Sequence, residues 1–143
     1  MSHITTLGLG GSAIYVVGCD VGTQSTKAIL LDDQGVTAGR AARTYPTSHP
    51  AAGWAEQQPR DWLEATRGAI GDVMREAGVG PSEIAAIGIA AQVDGIVAVD
   101  RSNQALAPAP IWMDRRATGE VRDATDRLGA AAILAISGAN ADP

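Results

Sequence analysis

The sequence has 143 residues, 45% of them hydrophobic and 19% charged, an ordinary globular balance that admits one modest core and excludes two or more full-sized domains. A net charge of −5 leaves no basic footprint for nucleic acid, and no apolar run approaches the ~20 residues that span a bilayer. A single cysteine, Cys19, cannot form an intramolecular disulfide, which fits a reducing, cytoplasmic compartment, and nothing at the N-terminus reads as a secretory signal.

With 3% aromatic residues and no Phe, the core must be built from Ala, Val, Ile and Leu. Residues 1–13 read as a glycine-rich leader expected to be flexible; its Gly8, Gly10 and Gly11 faintly suggest a dinucleotide loop but precede a strand instead of following one, a context that does not suit such a loop. The β-branched run Ile14 to Cys19 predicts a buried strand ended by Asp20, Lys27 to Leu31 a second, and Val36 to Tyr45 a third, in an antiparallel meander. Pro46 to Pro59 has loop composition. From about Arg60 to Ala77, Trp62, Thr66, Ala69, Ile70, Val73, Met74 and Ala77 recur at helical spacing before Gly78, which predicts an amphipathic helix. Ile84 to Ala91 reads as a further buried strand, parallel to an earlier one, and Ile96 to Val99 resumes strand character. Two short helices, about Arg116 to Leu128 and Ala130 to Ile136, complete an α/β pattern of a mixed sheet with flanking helices.

Between the first two strands stands Asp20-Val21-Gly22-Thr23-Gln24-Ser25-Thr26-Lys27. Its parts suit phosphate and magnesium. Gly22 opens backbone conformations that let amide N–H groups converge on an anion. Thr23, Ser25 and Thr26 carry hydroxyl donors, Asp20 can hold magnesium, and Lys27 can lend positive charge. The same octet also suits a β-hairpin in which Asp and Gly only shape the turn. It is not a Walker loop, because that spacing and its following helix are missing. Cys19 reads as a small core side chain, and His3 and His49 have no partner that suggests general-base work.

The octet resembles the first phosphate motif of the FGGY carbohydrate kinases, members of the actin, hexokinase and Hsp70 superfamily. Three further segments match that family in order: Gly53-Trp54-Ala55-Glu56-Gln57-Gln58-Pro59 before the long helix, Ile87 to Gly95, and Pro110-Ile111-Trp112-Met113-Asp114-Arg115-Arg116. Nothing in Hsp70 accounts for the last three. Within the family the xylulokinase-like enzymes are the nearest in pattern.

The resemblance implies a ribonuclease-H-like fold and transfer of the ATP γ-phosphate to a sugar or polyol hydroxyl, with ATP and Mg2+ as cofactors. Asp20 would organise the metal, and Gly22, Thr23, Gln24, Ser25, Thr26 and Lys27 would face the phosphates. Gln92, Val93, Asp94 and Gly95 match the sugar-contacting turn, and Trp112 and Asp114 the segment lining the sugar pocket. Read without the family, Asp94-Gly95 equally suits a tight hairpin turn and Trp112 a core position. Xylulokinases usually carry Gln-Met-His-Gly where this chain has Gln92-Val93-Asp94-Gly95; a carboxylate there accepts hydroxyl hydrogens and repels an acidic sugar, so a neutral ketose or polyol is expected. The family's catalytic base is expected beyond Pro143, which makes residues 14–143 the N-terminal part of the kinase's first domain, without the ATP-binding second domain and inactive alone. A homodimer is a further expectation. The alternative is a non-enzymatic phosphate- or nucleotide-binding module of the same superfamily that is complete at this length.

Overall fold

The computed structural model describes residues 14–143; the 1–13 leader, with His3 and its glycines, lies outside the described residues. In chain order the elements are β1 (Tyr15–Val21), β2 (Ser25–Leu31), β3 (Thr37–Thr44), β4 (Glu56–Gln57), α1 (Pro59–Ala77), β5 (Ile84–Ala91), β6 (Ala109–Pro110), α2 (Thr118–Leu128) and α3 (Ala130–Ser137). The chain divides into two units: residues 14–44 with Leu63–Ala91, and Tyr45–Trp62 with Gln92–Pro143. No helix among the described residues is long and apolar enough to cross a membrane.

The first unit is a four-stranded mixed sheet in the order β3-β2-β1-β5. The meander is antiparallel, and β5 runs parallel to β1, as a connection through a helix requires. α1 starts on Pro59, whose missing N–H costs nothing at a helix start; Asp61 sits in its first turn and Arg75 in its last, complementing the helix dipole. Gly78, at φ +68°, ends it. Ala69 and Val73 of α1 pack on Val17, Cys19, Ala28 and Leu30, with Val79 closing the cluster. Gly39 lets β3 lie against the helix, because a Cβ there would come within 3.3 Å of the Val73 carbonyl. Burial pushes the Cys19 thiol pKa up, in keeping with an inert core side chain. Across the helix surface Arg43 holds Asp72 by two hydrogen bonds of 2.8 and 2.9 Å, and Arg75 adds a third; hydrogen bonding to these guanidinium groups takes the Asp72 pKa down to about 2.

Four expectations are corrected. β1 runs two residues past Cys19 and β2 begins at Ser25, since Asp20 pairs with Lys27 and Val21 with Thr26; the turn shrinks to residues 22–24. The 46–59 loop contains β4, which pairs with β6. Residues 96–99 form no strand beyond a bridge from Val99 to Ala105, because the Asp100 carboxylate accepts the Ser102 and Gln104 amides and folds the segment into a turn. β5 is not buried: at the edge of its sheet and paired only with β1, it leaves Ile87 51% and Ile89 64% exposed.

An eight-residue apolar edge strand without charge or proline is a template for pairing with another chain. The isolated chain is therefore expected to self-associate at micromolar concentration, and Ile89→Lys to suppress it. Sedimentation velocity of the two proteins checks this; a monomeric parent chain overturns it.

Candidate functional site

In the first unit, strand pairing determines which way the phosphate-motif side chains turn. Asp20 and Lys27 are cross-strand partners and share a face, with Lys27 Nζ 4.0 Å from Asp20 Oδ2 and both side chains more than half exposed. Lys27 thus stands on the same side as the carboxylate. Thr26 takes the opposite parity: it is fully buried, and its hydroxyl lies 3.4 Å from that of Thr66 on α1. Its side chain belongs to the helix-facing layer, which corrects the expectation of a hydroxyl aimed at phosphate. Gly22 adopts no positive φ, and its N–H donates to the Ser25 carbonyl at 3.1 Å, so here it closes the turn through an ordinary conformation. Thr23, Gln24 and Ser25 sit at the hairpin tip, with Gln24 exposed.

The second unit brings the other three motifs together. The Ile111 amide donates to the Ala55 carbonyl and the Arg115 amide to that of Gly53, laying the 110–116 segment along the 53–57 segment. The Ile96 amide donates to the Pro110 carbonyl, and Gly95 lies close enough to that oxygen that a Cβ would sit 3.5 Å from it. Gln92 Nε2 donates to Gln57 Oε1 at 3.0 Å.

The carboxylates at Asp94 and Asp114 differ. The Asp94 side chain is exposed and makes no hydrogen bond or ion pair among the described residues, on a backbone held at φ +61°. Asp tolerates this left-handed region better than most residues. Since Gly95 has no positive φ and β5 pairs with nothing after the turn, the tight Asp-Gly hairpin does not form. Asp114, only 6% exposed at its side chain, is fully engaged: it accepts the Ala55 amide at 2.8 Å, the Arg116 amide at 3.0 Å, and Arg116 Nε and Nη2 at 2.8 and 2.6 Å. Hydrogen bonding to Arg116 holds its carboxyl well below the usual carboxylate range.

Arg116 also bonds Glu56 at 2.8 Å and lies 3.6 Å over the centre of the Trp54 ring, so one guanidinium ties Trp54, Glu56 and Asp114 together. Asp114 is thus a clamp on the loop rather than a free ligand group. Trp112 is 48% exposed, outside the core position its sequence also allowed. Sequence reasoning missed Gln57, which is 2% exposed and bonded to Thr47, Trp62 and Gln92. No local signal marks it, since 46–59 reads as a loop and the strand that turns Gln57 inward exists through its pairing with β6.

Among the described residues no three acidic, His or Cys side chains gather as a metal cage. A lone strand-end carboxylate beside hydroxyl-bearing residues nevertheless fits a magnesium ion that takes most of its oxygens from phosphate and water.

The first unit's topology is found in solved sugar kinases: a gluconate kinase from Lactobacillus acidophilus superposes with a TM-score of 0.84 at 29% identity, over 92% of this chain and 26% of that one. Fold and motifs together define a domain of the actin- and hexokinase-like sugar-kinase class. Residues 15–143 match the FGGY family of carbohydrate kinases, N-terminal domain, and the chain belongs to that family. It is 32% identical over 115 residues to a xylulose kinase of Bacillus subtilis (strain 168), covering 80% of this chain and 23% of that protein. A glycerol kinase of Aromatoleum aromaticum is 36% identical over 115 residues, covering 80% of this chain and 22% of its own length. The chain spans about a quarter of the length of the curated relatives it matches.

Proposed function

We propose that the chain supplies the phosphate-facing hairpin and part of the sugar-contacting surface of an ATP-dependent kinase that phosphorylates a hydroxyl of a neutral ketose or polyol, xylulose-like in size. Residues 14–143 act as the N-terminal part of the kinase's first domain, in the cytoplasm, with a homodimer as the assembly. The observation that carries the substrate class is Asp94, an exposed carboxylate without a partner at the turn the family uses for sugar. Such a group accepts hydroxyl hydrogens and disfavours a second carboxylate nearby.

Asp20 would hold magnesium, which when bound offsets the charge of the transferring phosphoryl group. Lys27, on the Asp20 face, adds positive charge there, and the Thr23 and Ser25 hydroxyls offer donors to phosphate oxygens. Asp114 and Arg116 keep the 53–57 and 110–116 segments in register, so that Trp112 and Gln92 to Gly95 meet the sugar from fixed backbone.

The test is ADP release from magnesium ATP with xylulose, glycerol and gluconate, by this chain and by the product of its reading frame continued past Pro143. Turnover in the longer product, higher on the neutral compounds than on the acid, is the expected result. A preference for gluconate overturns the substrate assignment, and saturable ATP binding by the short chain with no turnover in either product points to the binding module instead.

A further inference from the structure

Asp94-Gly95 is the one Asp-Gly pair in the sequence, which has no Asn-Gly pair. Both residues are exposed, and the Asp94 carboxylate makes no hydrogen bond or ion pair among the described residues. Other aspartates are occupied: Asp32 and Asp100 accept the amides of their own turns, and Asp72 and Asp114 hold arginines. The backbone at 94 and 95 is equally free. The Ile96 amide donates to the Pro110 carbonyl, whereas neither the Asp94 nor the Gly95 amide donates to any group among the described residues.

These two groups can react with each other. The Gly95 nitrogen attacks Asp94 Cγ, a C–N bond forms, and the amide proton leaves with the carboxyl oxygen as one water, closing a five-membered succinimide. Water then opens the ring. Attack at Cγ restores aspartate; attack at the main-chain carbonyl gives isoaspartate, in which the peptide runs through Cβ and Cγ and the free carboxylate sits directly on Cα. Three conditions favour this step, and the turn meets each of them. Gly95 has no Cβ to crowd the approach. Its N–H has no hydrogen bond to surrender, unlike that of Ala124, which follows Asp123 inside α2. Solvent reaches the pair, and the left-handed Asp94 backbone, at φ +61°, is held at a cost and not at a gain.

We infer that Asp94-Gly95 is a site of spontaneous isoaspartate formation in the folded protein, a self-modification that displaces the carboxylate of the 92–95 turn. The chemistry is independent of what the turn binds. Its functional consequence rests on the reading of that turn as sugar-contacting: each conversion removes the hydroxyl acceptor from its place, and a hydroxyl bonded to the carboxylate shields the carbon that the Gly95 nitrogen attacks.

The experiment is peptide mapping of the 143-residue chain after incubation at neutral pH, with electron-transfer fragmentation to separate isoaspartate from aspartate. Isoaspartate, preceded by a species lighter by one water, is expected at 94 before any other position, and as fast in the folded chain as in the chain held in urea. Conversion in urea alone, or equally at several aspartates, overturns the proposal. Gly95→Ala is the control, because Gly95 has no positive φ and a Cβ there meets the Pro110 carbonyl only at an ordinary 3.5 Å. It should abolish conversion without unfolding the chain, as its dichroic melt checks; undiminished conversion in this variant also overturns the proposal. Xylulose added to the parent chain should slow the reaction. Conversion at 94 that xylulose leaves unchanged upholds the modification and counts against the sugar-contacting turn.

Discussion

Leu30→Ala is expected to destabilise the first unit by about 3 kcal/mol and to lower its melting midpoint by about 10 °C or more. Leu30 is the largest of the fully buried side chains, set among Val17, Cys19, Ala28, Ala69 and Val73. These neighbours are small, and three of the five are fixed in paired strands, so they cannot collapse into the space a leucine vacates. The paired control is Leu63→Ala on the exposed side of α1, where the side chain is 57% exposed and the change should stay within about 0.5 kcal/mol. Circular dichroism melts of both variants check the pair. Equal losses would mean that the core is not centred where the sheet and helix place it.

Asp114→Ala is expected to cost the second unit about 3 kcal/mol, because it strands the buried Ala55 amide and leaves Arg116 with only Glu56 and the Trp54 ring. A second readout separates the charge from the packing. The folded Asp114 carboxyl titrates well below the 3.8 expected of it when unfolded, held there first by its hydrogen bonds to Arg116. Its stabilisation is therefore complete above the unfolded value and is lost as pH falls from there toward the folded one. Asp114→Asn should be less stable at neutral pH but should lose less on acidification. Melts taken from neutral pH down through the carboxylate range test this, and parallel pH profiles for parent and variant would contradict the ionised clamp.

The sheet and its helix are legible in the sequence because they rest on local pattern: short apolar runs in β1, β2 and β5, and a three-to-four-residue apolar recurrence in α1. Ends were less legible. Asp20 and Ser25 look like turn residues by composition, yet cross-strand pairing carries the strands through them. The burial of β5 was misread for a different reason: an apolar run states that a strand can be covered, not that a partner covers it. At the site, the resemblance pointed to Asp94 and Asp114 alike, and only the structure separates an exposed carboxylate from one bound four times over. The Gln57 hydrogen bonds were illegible because they join residues 47, 57, 62 and 92, whose meeting depends on tertiary packing.

The three tryptophans stand at positions 54, 62 and 112, and all belong to the second unit; the first unit has none among its described residues. Intrinsic tryptophan emission therefore sees only one half of the fold, and sees it from three settings: one indole beneath a guanidinium, one hydrogen-bonded to an amide, one half open to solvent. Far-ultraviolet dichroism sees both halves, since most of α1 lies in the first unit and α2 and α3 lie in the second. The molecule thus carries its own two-channel optical assay, one channel confined to the second unit and one shared, in which Leu30→Ala should displace the dichroic channel alone and Asp114→Ala both. Coincidence of the channels in every variant would identify a single cooperative transition, and their separation would resolve two.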